Sequence, residues 1–272
     1  MPLTNEFHPF KAVAIDLDGT LLSHDLTISA ENHAAIERLH ASGVCIILAS
    51  GRHSSTMLPY ARKLPVEWMV SAQGAFAANL DESTILYDNL LPPQKAKEII
   101  DAGIANMYSI VIYARSGIYT LSQGEWIDYY TALASIAPTP TTQKDILEES
   151  ILKVALIDSE ERIDKAFALP EISNWDLYKV RSLKNIYEFA GRGTSKADGL
   201  KPLLAHLNIA ASELASFGDA PNDNPMFEIS GYSVAMTHAW DETKAAAHAI
   251  SPEGPAESSF ARAVELLQKH AR

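Results

Sequence analysis

The fold assignment depends on the stretch Asp16-Leu17-Asp18-Gly19-Thr20-Leu21-Leu22. It follows Val13-Ala14-Ile15, a continuous apolar run of the kind found in parallel strands that are covered on both faces. Two carboxylates, Asp16 and Asp18, are therefore expected where a buried strand ends. Asp-Gly alone is typical of a structural turn, but a buried acid at Asp16 is costly unless a cation or hydrogen-bond donors compensate. The stretch predicts either a turn or a cation-binding site.

The residues around this stretch alternate short apolar runs with amphipathic segments. We predict strands at residues 11–17, 44–49, 68–71, 214–217 and 232–235. Helical periodicity separates these runs, with Ser29 as N-cap and Gly43 as the stop of the first helix. Successive strand-helix-strand units predict an α/β fold with a doubly wound parallel sheet, in which ligands bind beyond the carboxyl ends of the strands.

The middle of the chain has a different pattern. Residues 108–114 and 117–121 are rich in β-forming side chains and are joined by Arg115-Ser116, which predicts an antiparallel hairpin. Further strands are predicted at residues 152–157 and 175–180. We therefore expect an α/β core over residues 1–88 and 191–272, interrupted by an α+β domain over residues 89–190.

Three further groups of polar residues follow predicted strands or open a predicted helix. They are Ser50-Gly51-Arg52, Lys196, and Asp219 with Asn222 and Asp223. Each has a structural explanation of its own, such as a turn or a helix cap. Because the carboxyl ends of parallel strands meet at one edge of the sheet, we nevertheless expect these groups to lie together with Asp16.

Composition restricts the possible partners. The net charge of -12 argues against non-specific binding to nucleic acid or to a membrane surface, since both need concentrated Lys and Arg. A single cysteine excludes an internal disulfide. With no secretory or membrane-spanning pattern, we expect a cytoplasmic location. An anionic substrate would need a bound cation and local basic groups to overcome the overall negative charge.

These four groups, in this order and spacing, resemble the motifs of the haloacid dehalogenase (HAD) superfamily. The middle of the chain is similar to the α+β cap, type C2B, of the Cof-type phosphatases of subfamily IIB. The resemblance implies a Rossmann-like core and a cap over residues 89–190 that determines substrate specificity. It also implies that Asp16 is the nucleophile that forms an aspartyl-phosphate, and that Asp18 is the general acid and base.

The same resemblance implies a set of ligands. Mg²⁺ would be held by the Asp16 carboxylate, the backbone carbonyl of Asp18 and Asp219, with Asp223 as a further ligand or a neighbour. The residues implied in phosphate binding are Thr20, Ser50, Gly51, Arg52, Lys196 and Asn222. The sequence departs from the family at Gln73, where relatives have Asn, and around His238. We expect these departures to affect recognition of the leaving group and not the chemistry.

The expected function is that of a Mg²⁺-dependent phosphatase acting on a small phosphorylated metabolite, with a sugar phosphate as the favoured substrate. A phosphomutase is an alternative, because it would use the same residues and return the phosphoryl group to the sugar. A non-catalytic protein that binds a phosphorylated metabolite is another. We expect a monomer or a homodimer with no nucleic-acid or membrane partner.

Overall fold

The computed structural model describes residues 7–168, 172 and 174–270. The chain divides into two compact units. Arg52–Thr56 and Asp88–Thr194 form one of them, which we call the insertion unit, and the other described residues form the core unit. Compared with the predicted range of 89–190, the insertion unit also takes in Arg52–Thr56 and reaches Thr194. The assignment of a catalytic core and a specificity cap stays a prediction.

Helices and strands follow one another along the whole described chain. The first elements are β1 (Ala12–Ile15), α1 (Ala30–Ala41), β2 (Cys45–Ala49), α2 (Ser54–Ala61), β3 (Trp68–Ser71), β4 (Phe76–Asn79) and β5 (Ile85–Asp88). The next are α3 (Pro93–Ala105), β6 (Ser109–Ala114), β7 (Gly117–Thr120), α4 (Glu125–Ala134), β8 (Thr139–Pro140), α5 (Gln143–Ile146), β9 (Ile151–Ile157), α6 (Glu160–Ala168), β10 (Tyr178–Leu183) and β11 (Ile186–Ala190). The last are α7 (Lys196–His206), β12 (Leu214–Gly218), α8 (Asn224–Ile229), β13 (Tyr232–Ala235), α9 (Asp241–Ala246), β14 (Ala249–Ile250) and α10 (Ser259–His270). Among the helices in these described ranges, none is long and apolar enough to cross a membrane.

The larger sheet has the strand order β14-β13-β12-β1-β2-β3-β4-β5. The pairs from β14 to β3 are parallel, and β4 runs antiparallel to β3. Ile15, at the end of β1, lies beside Leu48 of β2 and Phe217 of β12. The chain moves outward from β1 in one direction through β2 and β3, and in the other through β12 and β13. This is the doubly wound α/β arrangement that the sequence predicts, and it brings three strand ends to one edge.

The core of this unit forms where the sequence places its apolar runs. Every residue of β1 is buried, as expected for a strand covered on both faces. Helix α1 begins at the predicted N-cap, where the Ser29 hydroxyl accepts a hydrogen bond from the Asn32 N–H at 3.1 Å. Its buried face includes Ile36 and Leu39, whose burial stabilises the fold by about 1.5–3 kcal/mol each.

The insertion unit has its own sheet, ordered β10-β11-β9-β6-β7-β8. Strands β6 and β7 form the predicted antiparallel hairpin. Apolar side chains of β6, β9 and β11 form a separate hydrophobic cluster with residues of α3 and α6. The strand predicted at residues 175–180 lies instead at Tyr178–Leu183, where it pairs with β11. The sequence pattern does not predict β11 as a strand, because its apolar residues are interrupted by Glu188.

Candidate active site

Strands β1 and β12 lie side by side at the centre of the larger sheet, and their ends bring distant acids together. The Asp16 N–H donates to the Phe217 carbonyl at 3.0 Å, so the strand pairing continues to the first acid. Asp219 follows β12 directly. The chain continues from β1 to β2 on one side and later forms β12 on the other side. A crevice is expected at such a switch point of the sheet.

Three carboxylates form a compact cluster there. Asp16, Asp219 and Asp223 each offer an oxygen, and these oxygens all lie within 4.8 Å of one another. The Thr20 hydroxyl donates to Asp219 Oδ1 at 3.1 Å. Asp223 Oδ2 accepts the backbone N–H groups of Asp219 at 2.9 Å and of Ala220 at 3.0 Å. These bonds orient two of the three carboxylates.

A single ammonium group joins the cluster. Lys196 is fully buried, and its Nζ lies 2.5 Å from Asp16 Oδ1 and 2.5 Å from Asp223 Oδ1. It is the first residue of α7, where the Ser195 hydroxyl caps the helix by accepting the Asp198 N–H at 3.2 Å. The N-cap thus fixes the point from which the lysine reaches the carboxylates.

Burial and mutual repulsion dominate the electrostatics of the cluster. Burial, followed by the charges of Asp223, Asp219 and Asp18, raises the pKa of Asp16 well above its ordinary value, although Lys196 opposes this shift. Burial and the Asp223 charge raise the pKa of Asp219 to about 7. Burial alone would lower the pKa of the Lys196 ammonium, but the Asp16 and Asp223 carboxylates together outweigh burial and raise it.

The cluster suits a hard divalent cation. Three carboxylates face one ammonium group, so negative charge is in excess in a buried place. All the donor atoms are oxygens, which Mg²⁺ and Ca²⁺ prefer. A cation bound by Asp16, Asp219 and Asp223 would therefore offset the repulsion that raises the pKa of Asp16 and of Asp219.

The remaining predicted residues are distributed around this cluster. Asp18 is exposed, and its carboxylate is not one of the three clustered ones. Ser50 is buried directly after β2, and Gly51 follows it. The Asn222 amide donates to Gln73 Oε1 at 2.9 Å. Arg52 is grouped with the insertion unit, so its predicted role as a phosphate ligand stays a prediction.

The loop after β13 also contacts the acidic loops. His238 Nε2 lies 2.6 Å from the Gly19 carbonyl oxygen. The Trp240 N–H donates to the Asp219 carbonyl at 3.0 Å. The His238 contact thus links the loop after β13 to the turn that follows β1. Trp240 is not among the predicted residues, and its exposure beside the Asp219 loop becomes visible only in the structure.

The insertion unit contains a second buried polar group, formed by Tyr113, Tyr130, Lys153 and Glu188, which we call the insertion cluster. Lys153 Nζ lies 2.7 Å from Glu188 Oε1 and 4.1 Å from the centre of the Tyr113 ring. The Tyr130 hydroxyl donates to the Tyr113 hydroxyl at 2.8 Å. Burial raises the pKa of both phenols, so they remain neutral near pH 7. A lone lysine inside the apolar run of β9 is the sequence signal for this cluster.

Comparison with known proteins identifies the family. Residues 13–263 match the haloacid dehalogenase-like hydrolases. The chain belongs to this family. The phosphatase YwpJ of Bacillus subtilis (strain 168) is 27% identical to this HAD hydrolase over 270 residues, which cover 89% of this chain and 94% of YwpJ.

Solved structures agree with the fold. A haloacid dehalogenase-like hydrolase from Bacteroides thetaiotaomicron is 25% identical, with a TM-score of 0.83 over 95% of this chain and 99% of that one. A HAD subclass IIB sugar phosphatase has the same TM-score of 0.83 at 21% identity. The superposition covers 94% of this chain and 98% of that one. The predicted family, the α/β fold and the enzyme class, a phosphoric monoester hydrolase, are confirmed.

Proposed function

We propose that this HAD hydrolase is a Mg²⁺-dependent phosphatase that hydrolyses a sugar phosphate or a similar small metabolite through an aspartyl-phosphate on Asp16. The supporting observation is the buried Lys196 ammonium, 2.5 Å from both Asp16 and Asp223, beside three clustered carboxylates. Such a group combines a nucleophile, a counter-charge for phosphoryl oxygens and oxygen ligands for a cation.

The proposed reaction has two steps. First, a carboxylate oxygen of Asp16 forms a bond to phosphorus while the bond between phosphorus and the leaving oxygen breaks, and Asp18 gives that oxygen a proton. Second, Asp18 takes a proton from water, whose oxygen bonds to phosphorus and releases inorganic phosphate and the Asp16 carboxylate. The Lys196 ammonium offsets the negative charge of the phosphoryl oxygens in both steps. Asp18 thus gives up a proton in the first step and regains one in the second.

The proposed cation site uses Asp16, the backbone carbonyl of Asp18 and Asp219, with Asp223 close by. When bound, Mg²⁺ supplies positive charge that stabilises the phosphoryl oxygens. Thr20 holds Asp219 by its 3.1 Å hydrogen bond, and the two backbone N–H groups hold Asp223. Ser50, Gly51 and Asn222 complete the proposed phosphate site.

Metal dependence tests this function. Purified protein should release phosphate from p-nitrophenyl phosphate with Mg²⁺ present, and EDTA should lower the rate by at least about 100-fold. Added Mg²⁺ should restore it, whereas Ca²⁺ should not, because Ca²⁺ accepts looser coordination than Mg²⁺. Equal turnover with and without EDTA would contradict the proposal.

The products distinguish a phosphatase from a phosphomutase. With a panel of sugar phosphates, a phosphatase releases one inorganic phosphate for each ester consumed, as followed by a phosphate assay and NMR of the sugar. A phosphomutase would instead produce an isomeric sugar phosphate without phosphate release. That second outcome would replace the proposed reaction while retaining the nucleophile.

We propose that the insertion unit determines which substrate the enzyme accepts, as its resemblance to a C2B cap implies.

A further inference from the structure

The turn after β3 has an unusual backbone. Ala72, Gln73 and Gly74 have φ angles of 50°, 63° and 96°, so three successive residues lie in the left-handed region. This region is uncommon for residues that carry a Cβ, and it persists only where the surrounding structure holds it. Such backbone is enriched at functional sites. The contacts of this turn indicate what holds it.

The backbone of the turn is packed between two parts of the proposed phosphate site. The Gln73 N–H donates to the Ser50 carbonyl at 3.2 Å. A Cβ added to Gly74 would lie 1.9 Å from the Ser195 carbonyl oxygen, so only glycine fits against the residue that precedes Lys196. The turn therefore touches both the loop after β2 and the start of α7.

The Gln73 side chain makes a third connection. It is only 3% exposed, and its Oε1 accepts the Asn222 amide at 2.9 Å. Its Nε2 lies so close to Gly51 that a Cβ there would approach it to 2.5 Å. Strands β1 and β2 lie between β3 and β12 in the sheet, so this side chain links loops from strands that are not neighbours.

We propose that Gln73 is a positioning residue, which holds the Ser50-Gly51 loop and the Asn222-Asp223 loop at the separation that phosphoryl transfer requires. This inference rests on the proposed phosphatase function. Gln73 acts through its neighbours and forms no bond to the reacting atoms.

A double-mutant cycle tests the proposal in the full chain. Gln73→Ala should lower kcat for p-nitrophenyl phosphate by about 10-fold with KM within about 2-fold of the wild type, because a small misplacement of the site slows the reaction. Asn222→Ala should lose more, since it also removes a proposed phosphate ligand. The double variant should lose no more than Asn222→Ala alone, because both changes break the Gln73–Asn222 hydrogen bond. A further loss of about 10-fold on adding Gln73→Ala to Asn222→Ala, or a Gln73→Ala variant with the wild-type kcat, would overturn the proposal.

Ala72→Gly is the matched control. It relieves left-handed backbone at the neighbouring residue and leaves the Gln73 amide in place, so we expect wild-type kcat and a melting temperature at or above that of the wild type. A loss of kcat in this variant equal to that of Gln73→Ala would show that the backbone alone matters, and would overturn the role of the amide. Thermal melting of every variant identifies failures of folding. If Gln73→Ala does not fold, Gln73→Asn replaces it, because Asn tolerates left-handed backbone. Its shorter amide should leave kcat as low as that expected for Gln73→Ala. These measurements separate the role of Gln73 from the phosphatase function. An inactive wild type contradicts the phosphatase function. An active wild type whose Gln73 variants keep the wild-type kcat contradicts only the role of Gln73.

Discussion

Asp16→Asn should reduce phosphate release from p-nitrophenyl phosphate by at least about 10⁴-fold. The amide has nearly the same shape as the carboxylate but is a very poor nucleophile, so no aspartyl-phosphate can form at normal rates. Stability should not fall, because the raised pKa of Asp16 means that the fold already disfavours its charge. The measurements are steady-state phosphate release, thermal melting, and mass spectrometry of acid-quenched enzyme to detect the phosphorylated residue.

Asp81→Asn is the control for this substitution. Asp81 is an exposed acid in a turn, where its carboxylate accepts from the Ser83 N–H at 3.1 Å, and it lies outside the acidic cluster. It should keep the wild-type rate. Residual activity of Asp16→Asn within about 10-fold of the wild type would remove Asp16 from its proposed role.

The second large effect is expected for Lys196→Met. The substitution leaves Asp16 and Asp223 as neighbouring buried acids without their ammonium partner. Removing one member of a buried ionic group typically lowers the free energy of unfolding by about 3–5 kcal/mol. We also expect kcat to fall by about 10³-fold, because the charge that we propose to offset the phosphoryl oxygens is lost. Urea unfolding and steady-state kinetics measure the two effects separately.

Lys201→Met, in the same helix α7, is the matched control for this prediction. Lys201 is exposed and pairs with Asp198 at 3.0 Å, an interaction worth at most about 1 kcal/mol at the surface. Its variant should keep the wild-type kcat and nearly the wild-type stability. If both lysine variants behaved alike, burial of Lys196 among the carboxylates would have no functional meaning.

The arrangement of the core unit could be predicted from sequence because it depends on local patterns and general topology rules. Continuous apolar runs identify parallel strands, and the crossover rule brings their carboxyl ends to one edge. The acids after β1 and β12 could therefore be expected to meet although they are far apart in the chain. The structure brings together Asp16, Lys196, Asp219 and Asp223 at that edge, while their catalytic roles stay proposals.

Other features depend on strand register and side-chain packing, which local patterns do not specify. Lys153 and Glu188 meet only because Lys153 pairs with Ala190 while Ala155 pairs with Glu188 across β9 and β11. A one-residue change of register would separate them. The contact of Gln73 with Asn222 likewise depends on a left-handed turn, and a lone glutamine in the sequence does not indicate such backbone.

The pairing of β1 with β12 also determines when this enzyme becomes active during its synthesis. Lys196 and Asp16 are 180 residues apart, and β12, one of the two strands that pair with β1, is made after the whole insertion unit. A ribosome that has completed β1 to β5 has produced Asp16, the proposed nucleophile, without Lys196, Asp219 and Asp223. Under the proposed mechanism, hydrolysis must therefore wait until residue 223 has emerged and β12 has paired, a long-range step that folds slowly. Nascent and prematurely terminated chains are expected to release no phosphate from p-nitrophenyl phosphate.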